Sequence, residues 1–172
     1  LKGDIIKKNT GGSIMNTQLS QKEQELLVLE IVDACIQYSE KEHMDFAGVL
    51  KDLVFVGKAD TAFSEMVCKT IESLNSRKYI AGTVELVYET EIDIDTFEES
   101  TTDDIDFSQT IFENMSITAK GRALMGAEAF KEAGKSFMEK VKPVIKCIAS
   151  TALQTAVETA IVAGMKAAGI PV

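Results

Sequence analysis

The chain has 172 residues, 45% of them hydrophobic and 26% charged, and a formal net charge of −9. That is room for one ordinary domain with an appendage, with enough apolar side chains to bury a core, and it excludes a wholly disordered chain. Three cysteines, Cys35, Cys68 and Cys147, are odd in number, far apart and set in apolar helical patterns, which speaks against a disulfide framework and for a reducing, cytoplasmic setting.

Residues 1–14 begin with Leu, carry Gly11 and Gly12 in tandem and precede Met15. They read as a vector-derived or upstream leader, with a natural flexible arm as the alternative, and are set aside from the fold. No apolar h-region follows a basic start, and no run of about eighteen apolar residues makes a strong spanning helix. A soluble protein is expected.

The first helix, near residues 20–40, opens on Ser20-Gln21-Lys22-Glu23, the spacing of a capping box. Val28, Leu29, Val32, Cys35 and Ile36 recur at three and four residues and form a core face, leaving Glu30, Asp33, Gln37 and Glu40 for water. His43 is the one histidine, with no cluster around it for a zinc site, and reads as a solvated loop residue. Asp45 caps a second helix, near 45–54, which Gly57 stops. Its Leu53-Val54-Phe55-Val56 run serves equally as a short strand.

A third helix, 61–76, starts at Asp60 or Thr61 and buries Phe63, Val67, Ile71 and Leu74 at four, four and three residues. Ser64, Glu65, Lys69, Glu72, Ser73 and Ser76 then face out, and Cys68 reads as a buried structural thiol. A strand follows at 79–88, rich in β-branched and aromatic residues. A returning strand near 110–117 places Ile111, Met115 and Ile117 on one face by its period of two, and Thr118 caps the next helix.

Between the strands lie Glu89, Glu91, Asp93, Asp95, Glu98, Glu99, Asp103, Asp104 and Asp106 with no Lys or Arg. These nine carboxylates equal the net charge of −9, so the rest of the chain balances. The segment is expected to be an extended, partly mobile loop. Asp93-x-Asp95 and Asp103-Asp104-x-Asp106 lack the Gly turn and terminal Glu of a calcium loop and read as a solvated charge run.

Three helices, then Leu-x-x-x-Lys-Tyr-Ile-x-Gly (74–82), a hairpin, and Ile-Thr-x-Lys-Gly-Arg-x-Leu (117–124) give a stretch that resembles a winged-helix domain. It is similar to small bacterial and phage winged-helix proteins of the YjcQ-like kind over about residues 19–125. The resemblance implies an α+β fold, a winged helix-turn-helix over residues 15–125; the long acidic hairpin insertion departs from a compact wing, and residues 126–172 read as a C-terminal helical extension. It also implies DNA binding, with the third helix in the major groove and the hairpin against the backbone. The residues so placed are Ser64, Lys69, Ser73, Arg77, Lys78, Lys120 and Arg122.

In the extension, residues 127–142 read as one amphipathic helix that Pro143 breaks or restarts. Beyond it, Ala152, Ala156, Ala160, Gly164 and Ala168 recur every four residues as a ridge of small side chains beside Leu153, Val157 and Ile161. Packing within the chain, self-association with a second copy or a helical partner, and membrane contact are the readings of such a ridge. An exposed apolar patch leading to a dimer is the expectation carried forward.

No phosphate-cradling glycine loop, His pair, Cys-x-x-Cys or nucleophile elbow is present, so no catalytic residue, metal or cofactor is assigned and the chain does not read as an enzyme. Two functions stand, the first preferred because the resemblance names it. One is a DNA-binding regulator, weakened because Lys69 sits between Glu65 and Glu72. The other is a protein-interaction module on the same scaffold, using the acidic segment and the small-residue helix. The acidic segment either folds back over Lys78, Lys120 and Arg122, masking them from phosphate, or projects outward to a basic partner; masking is the expectation, because those basic residues sit close to where the segment leaves and rejoins the hairpin.

Overall fold

Helix α1 (Gln21–Glu42) is the axis on which the other elements pack. A computed structural model describes residues 19–55 and 61–172. The expected leader at 1–14, the stop at Gly57 and the Asp60 start lie outside the described residues. The capping box at the start of α1 is complete: Glu23 N–H donates to Ser20 Oγ at 3.1 Å, and Ser20 N–H donates to Glu23 Oε1 at 2.8 Å. At the other end His43, exposed, takes the left-handed conformation at φ 56° as the cap residue.

Asp45 caps α2 (Phe46–Val49), which continues into a π-helical turn, Leu50–Phe55. The alternative of a strand at 53–56 is thereby corrected for 53–55. Helix α3 (Thr61–Ser76) buries Phe63, Val67, Ile71 and Leu74 as its spacing predicts.

An antiparallel ribbon follows in two halves. The proximal half pairs β1 (Ile80–Glu85) with β4 (Ile111–Ile117), the pairing expected of strands at 79–88 and 110–117. The distal half pairs β2 (Tyr88–Ile92) with β3 (Glu99–Ile105). The acidic segment is therefore a hairpin, and the expected extended loop is corrected. Its register is held by backbone ladder bonds, and the carboxylates project from a pleat that leaves them in water.

Alternation in β4 also fails as drawn. A bulge faces Gly82 with Asn114, which takes φ 55°, and shifts the register between Ala81 and Thr83. The extra residue moves both Phe112 and Met115 inward, where a strict period of two would have separated them. Gly82 is required there: at φ 117°, a Cβ would lie 2.6 Å from Glu113 O.

Thr118 caps α4 (Ala119–Ala123), its hydroxyl accepting from Gly121 N–H at 3.0 Å. The C-terminal region forms three helices, α5 (Ala127–Ala133), α6 (Phe137–Ile145) and α7 (Thr151–Ala167). The single helix expected over 127–142 is interrupted at Gly134, φ 81°, and Pro143 sits inside α6 instead of ending it. Leu153, Val157, Ile161 and Met165 of α7 are all at most 1% exposed. They pack with α1 and the neighbouring helices, and Ala149 and Ser150 N–H groups donate to Val54 and Leu53 carbonyls. One apolar cluster thus runs from Leu19 to Met165, and the C-terminal helices complete the core.

That enclosure explains why Glu30 and Asp33, expected on a solvated face, are only 5% and 9% exposed. The amphipathic pattern of α1 describes the helix in isolation. Covering by α5, α7 and the Arg122 side chain comes from residues about ninety or more positions away.

Candidate functional site

Of the residues expected to form a nucleic-acid face, Arg77, Lys78 and Lys120 meet Tyr79 and Thr118 in a clasp at the junction of α3, the ribbon base and α4. Thr118 N–H and hydroxyl donate to Tyr79 O, both at 3.1 Å, and the hydroxyl also lies 2.8 Å from Lys78 O. Lys120 Nζ donates to Arg77 O at 3.2 Å and stands 4.5 Å from the centre of the Tyr79 ring, with the Arg77 guanidinium at 5.2 Å. Gly121 closes the joint, because a Cβ there would lie 2.1 Å from Tyr79 O.

The two arginines of this region are exposed but tied to buried carboxylates. Arg77 donates to Glu25 Oε2 at 2.7 Å and to Ser73 Oγ at 3.0 Å, and Arg122 donates to Asp33 Oδ1 at 2.8 Å. Asp33 holds the Arg122 guanidinium above its usual range, against a smaller opposing effect of burial. Ser64, expected to face DNA, is 7% exposed and is corrected to a core-side residue of α3. Lys69 and Lys78 are exposed and form no ion pair among the described residues. With Lys120, also exposed and without an ion pair among the described residues, these three lysines make a weak phosphate surface.

A cleft of about 690 Å³ opens next to the clasp, lined in part by Leu26, Arg77, Tyr79, Leu124 and Lys140. Its rim is charge-balanced by Lys22–Glu132, Arg77–Glu25 and Lys140–Glu23 pairs at 3.4, 2.7 and 3.1 Å. Burial opposes ionisation of Glu23, but the Ser20 amide and Lys140 outweigh it and hold the carboxyl below its ordinary range. Behind this surface burial pushes Glu30 up to about 7, aided by Asp33 and offset in part by Arg122. Cys35 and Cys68 are pushed up to about 12 by burial, which leaves them as thiols.

The distal ribbon is the opposite case. None of its nine carboxylates forms an ion pair among the described residues. The turn between β2 and β3 is shaped by Asp93, whose Oδ1 accepts from Asp95 and Thr96 N–H, and by Phe97 at φ 57°. Ile92, Ile94 and Phe97 stand 63%, 85% and 80% exposed around it. The sequence carried a signal for this strand: Tyr-Glu-Thr-Glu-Ile over 88–92 alternates with a period of two, although its Glu residues have low strand propensity.

The ridge of small residues is divided. Gly164 lies against Phe130, where a Cβ would meet the ring at 2.3 Å, while Ala152 and Ala156 are exposed. Because Leu153, Val157 and Ile161 are buried in the monomer, the large exposed patch expected beside the ridge is absent, and with it the stated reason for a dimer. Among the described residues no group of three or more His, Cys, Asp or Glu is placed to hold a metal ion, and no helix is long and apolar enough to cross a membrane.

No protein-family model, curated protein or solved structure matches the chain.

Proposed function

We propose that the protein is a non-catalytic protein-interaction module on a winged-helix scaffold, with the distal half of the ribbon as its contact surface. The scaffold reading is supported by three helices followed by an antiparallel strand pair whose base is closed by the Lys78-Tyr79 and Thr118–Gly121 residues. One observation carries the functional reading: Ile92, Ile94 and Phe97 stand in solvent among nine carboxylates with no ion-pair partner among the described residues. A surface that is apolar and uniformly negative attracts a positively charged protein and repels phosphate.

The competing reading, a DNA-binding regulator, loses support because Arg77 and Arg122 neutralise Glu25 and Asp33. A gel shift against random duplex at low salt separates the two, run with the parent and with all nine carboxylates changed to Asn or Gln. Neither protein is expected to shift the duplex. A shift by the parent establishes the DNA reading, and a shift by the neutralised variant alone revives masking by the acidic hairpin.

A further inference from the structure

The distal ribbon has two unlike faces and two unlike edges. Opposed residues share a face, so Tyr88, Thr90, Ile92, Thr101 and Ile105 lie on one side, with Glu99 opposite Ile92 as its one carboxylate among the paired residues, and Glu89, Glu91 and Ser100 lie on the other. Ile105, 4% exposed, anchors the first face to the core at its base, and Ile92 ends it in solvent. The second face is carboxylate, extended at the turn by Asp93 and Glu98, whose backbones close the ladder through Asp93 N–H to Glu98 O at 2.9 Å.

That closing bond fixes which backbone groups point outward. Bonded pairs alternate along an antiparallel ladder, so Glu91 and Ser100 exchange bonds, while Thr90–Thr101 and Ile92–Glu99 turn their amides and carbonyls to the edges. On β3 that edge is interrupted, because residues 102–104 bulge opposite Glu89. A bulge bends an edge away from further pairing. On β2 the edge is regular. The corresponding edge of β1 is covered, since Asn75 Nδ2 donates to Ile80 O and Gly82 O at 3.0 Å each. Outside the ladder, the backbone groups of Thr90 and Ile92 form no hydrogen bond among the described residues.

We infer that the free edge of β2 takes up an extended protein segment in which basic and apolar residues alternate. This deepens the interaction reading and rests on it. Added as a third strand, such a segment bonds the outward groups of Thr90 and Ile92. Its period of two then lays Lys or Arg over Glu89, Glu91 and Asp93 and lays the intervening apolar residues beside Thr90 and Ile92. The carboxylates also set the selectivity, because an acidic strand, including β2 of a second copy, is repelled from the same edge.

The test uses the full chain and two labelled peptides of equal composition, one alternating Lys and Val and one with all Lys preceding all Val, followed by fluorescence anisotropy. The alternating peptide is expected to bind at least about tenfold tighter and to weaken as salt rises. Thr90→Pro removes an outward N–H without touching a ladder bond and is expected to weaken binding about tenfold, whereas Thr101→Pro, on the other edge, leaves it unchanged. Where Thr90→Pro disturbs the fold, the same question is put to the parent with peptides N-methylated on alternate residues: one register abolishes binding and the other preserves it.

Equal binding of the two peptides, or equal effects of the two prolines, overturns strand addition and leaves the interaction reading standing. Failure of both peptides to bind overturns the basic-partner inference, while the interaction reading is judged separately by the duplex experiment.

Discussion

The two halves of the ribbon are built from consecutive residues of the same two chain segments, yet they follow different rules. In the proximal half every feature has a counterpart in the helices: Asn75 bonds the β1 edge, Phe112 stacks edge-on against Phe46 at 6.1 Å, and the clasp fixes Tyr79 to Thr118. The turn at residues 106–110 marks the border, with Phe107 against Phe55 at 5.3 Å and Lys51 donating to Thr110 O at 2.8 Å. Beyond it Tyr88 and Ile105 hold the base of the distal half to the core, and the rest of it has its own ladder and turn. The buried carboxylates Glu23, Glu25 and Asp33 are paired with Lys140, Arg77 and Arg122, and Glu30, buried without an ion pair among the described residues, is pushed toward its neutral form, whereas the unpaired carboxylates of the distal half stand at the surface. That contrast separates residues held by stability from residues available for function.

The largest test removes one region at a time. Ending the chain after Pro143 deletes Val144, Ile145, Ile148, Leu153, Val157, Ile161 and Met165 from the core. At about 1.5–3 kcal/mol for each buried side chain, the loss reaches the whole stability of an ordinary domain, about 5–15 kcal/mol, so no cooperative unfolding transition is expected. Replacing residues 89–104 by a short Asn-Gly turn is expected to change stability by less than about 1 kcal/mol. Thermal melts of the two proteins check this, and comparable losses would erase the distinction between the halves.

A second effect tests the buried side alone. Glu30 is pushed up to about 7 from its ordinary 4.5 by burial, so the folded protein holds that proton more tightly than the unfolded chain does. Stability from the protonated form is fully present below about pH 4.5 and is lost as pH rises through about 7, to an extent of about 3 kcal/mol. Glu30→Gln keeps the neutral form at every pH. Denaturant unfolding of parent and variant should diverge by about that amount between pH 5 and pH 8, the parent falling further. Parallel profiles would show that Glu30 reaches water.

The same contrast explains what was legible in the sequence. The Ser20 box, the Asp45 and Thr118 caps and the buried stripe of α3 depend on residues within a few positions of each other, and they stand where spacing puts them. The β1–β4 pairing followed from two β-rich runs flanking the acidic segment. The fates of Glu30, Asp33, Arg77 and Arg122 were not legible, because each depends on contacts between distant segments, such as Arg122 with Asp33 across 89 positions. The bulge at Asn114 likewise reverses a pattern that sequence periodicity alone supports. In the candidate site the charge was plain and the strand was hidden, since alternating Glu residues lower strand propensity without abolishing the ladder.

The smallest effect belongs to the distal half and has to be read locally. Glu89 and Glu91 share a face of β2, with Asp93 and Glu98 at its end, so like charges lie side by side without a counter-charge among the described residues. Neighbouring like charges on a strand pair cost a few tenths of a kcal/mol up to about 1. Changing Glu89, Glu91 and Glu98 to Gln and Asp93 to Asn removes that repulsion, and the Asn side-chain oxygen can still accept from the Asp95 and Thr96 amides. Amide exchange at Glu91 and Ser100 is then expected to slow about two- to fivefold, while the global unfolding midpoint stays where it was. Salt supplies the control. The charges are exposed, so near 1 M salt, with a Debye length of about 3 Å, parent and variant should exchange alike, whereas the Glu30 effect, set by burial, should persist. A difference that survived high salt would mean that the substitutions altered the turn itself and did not act by relieving repulsion across this face.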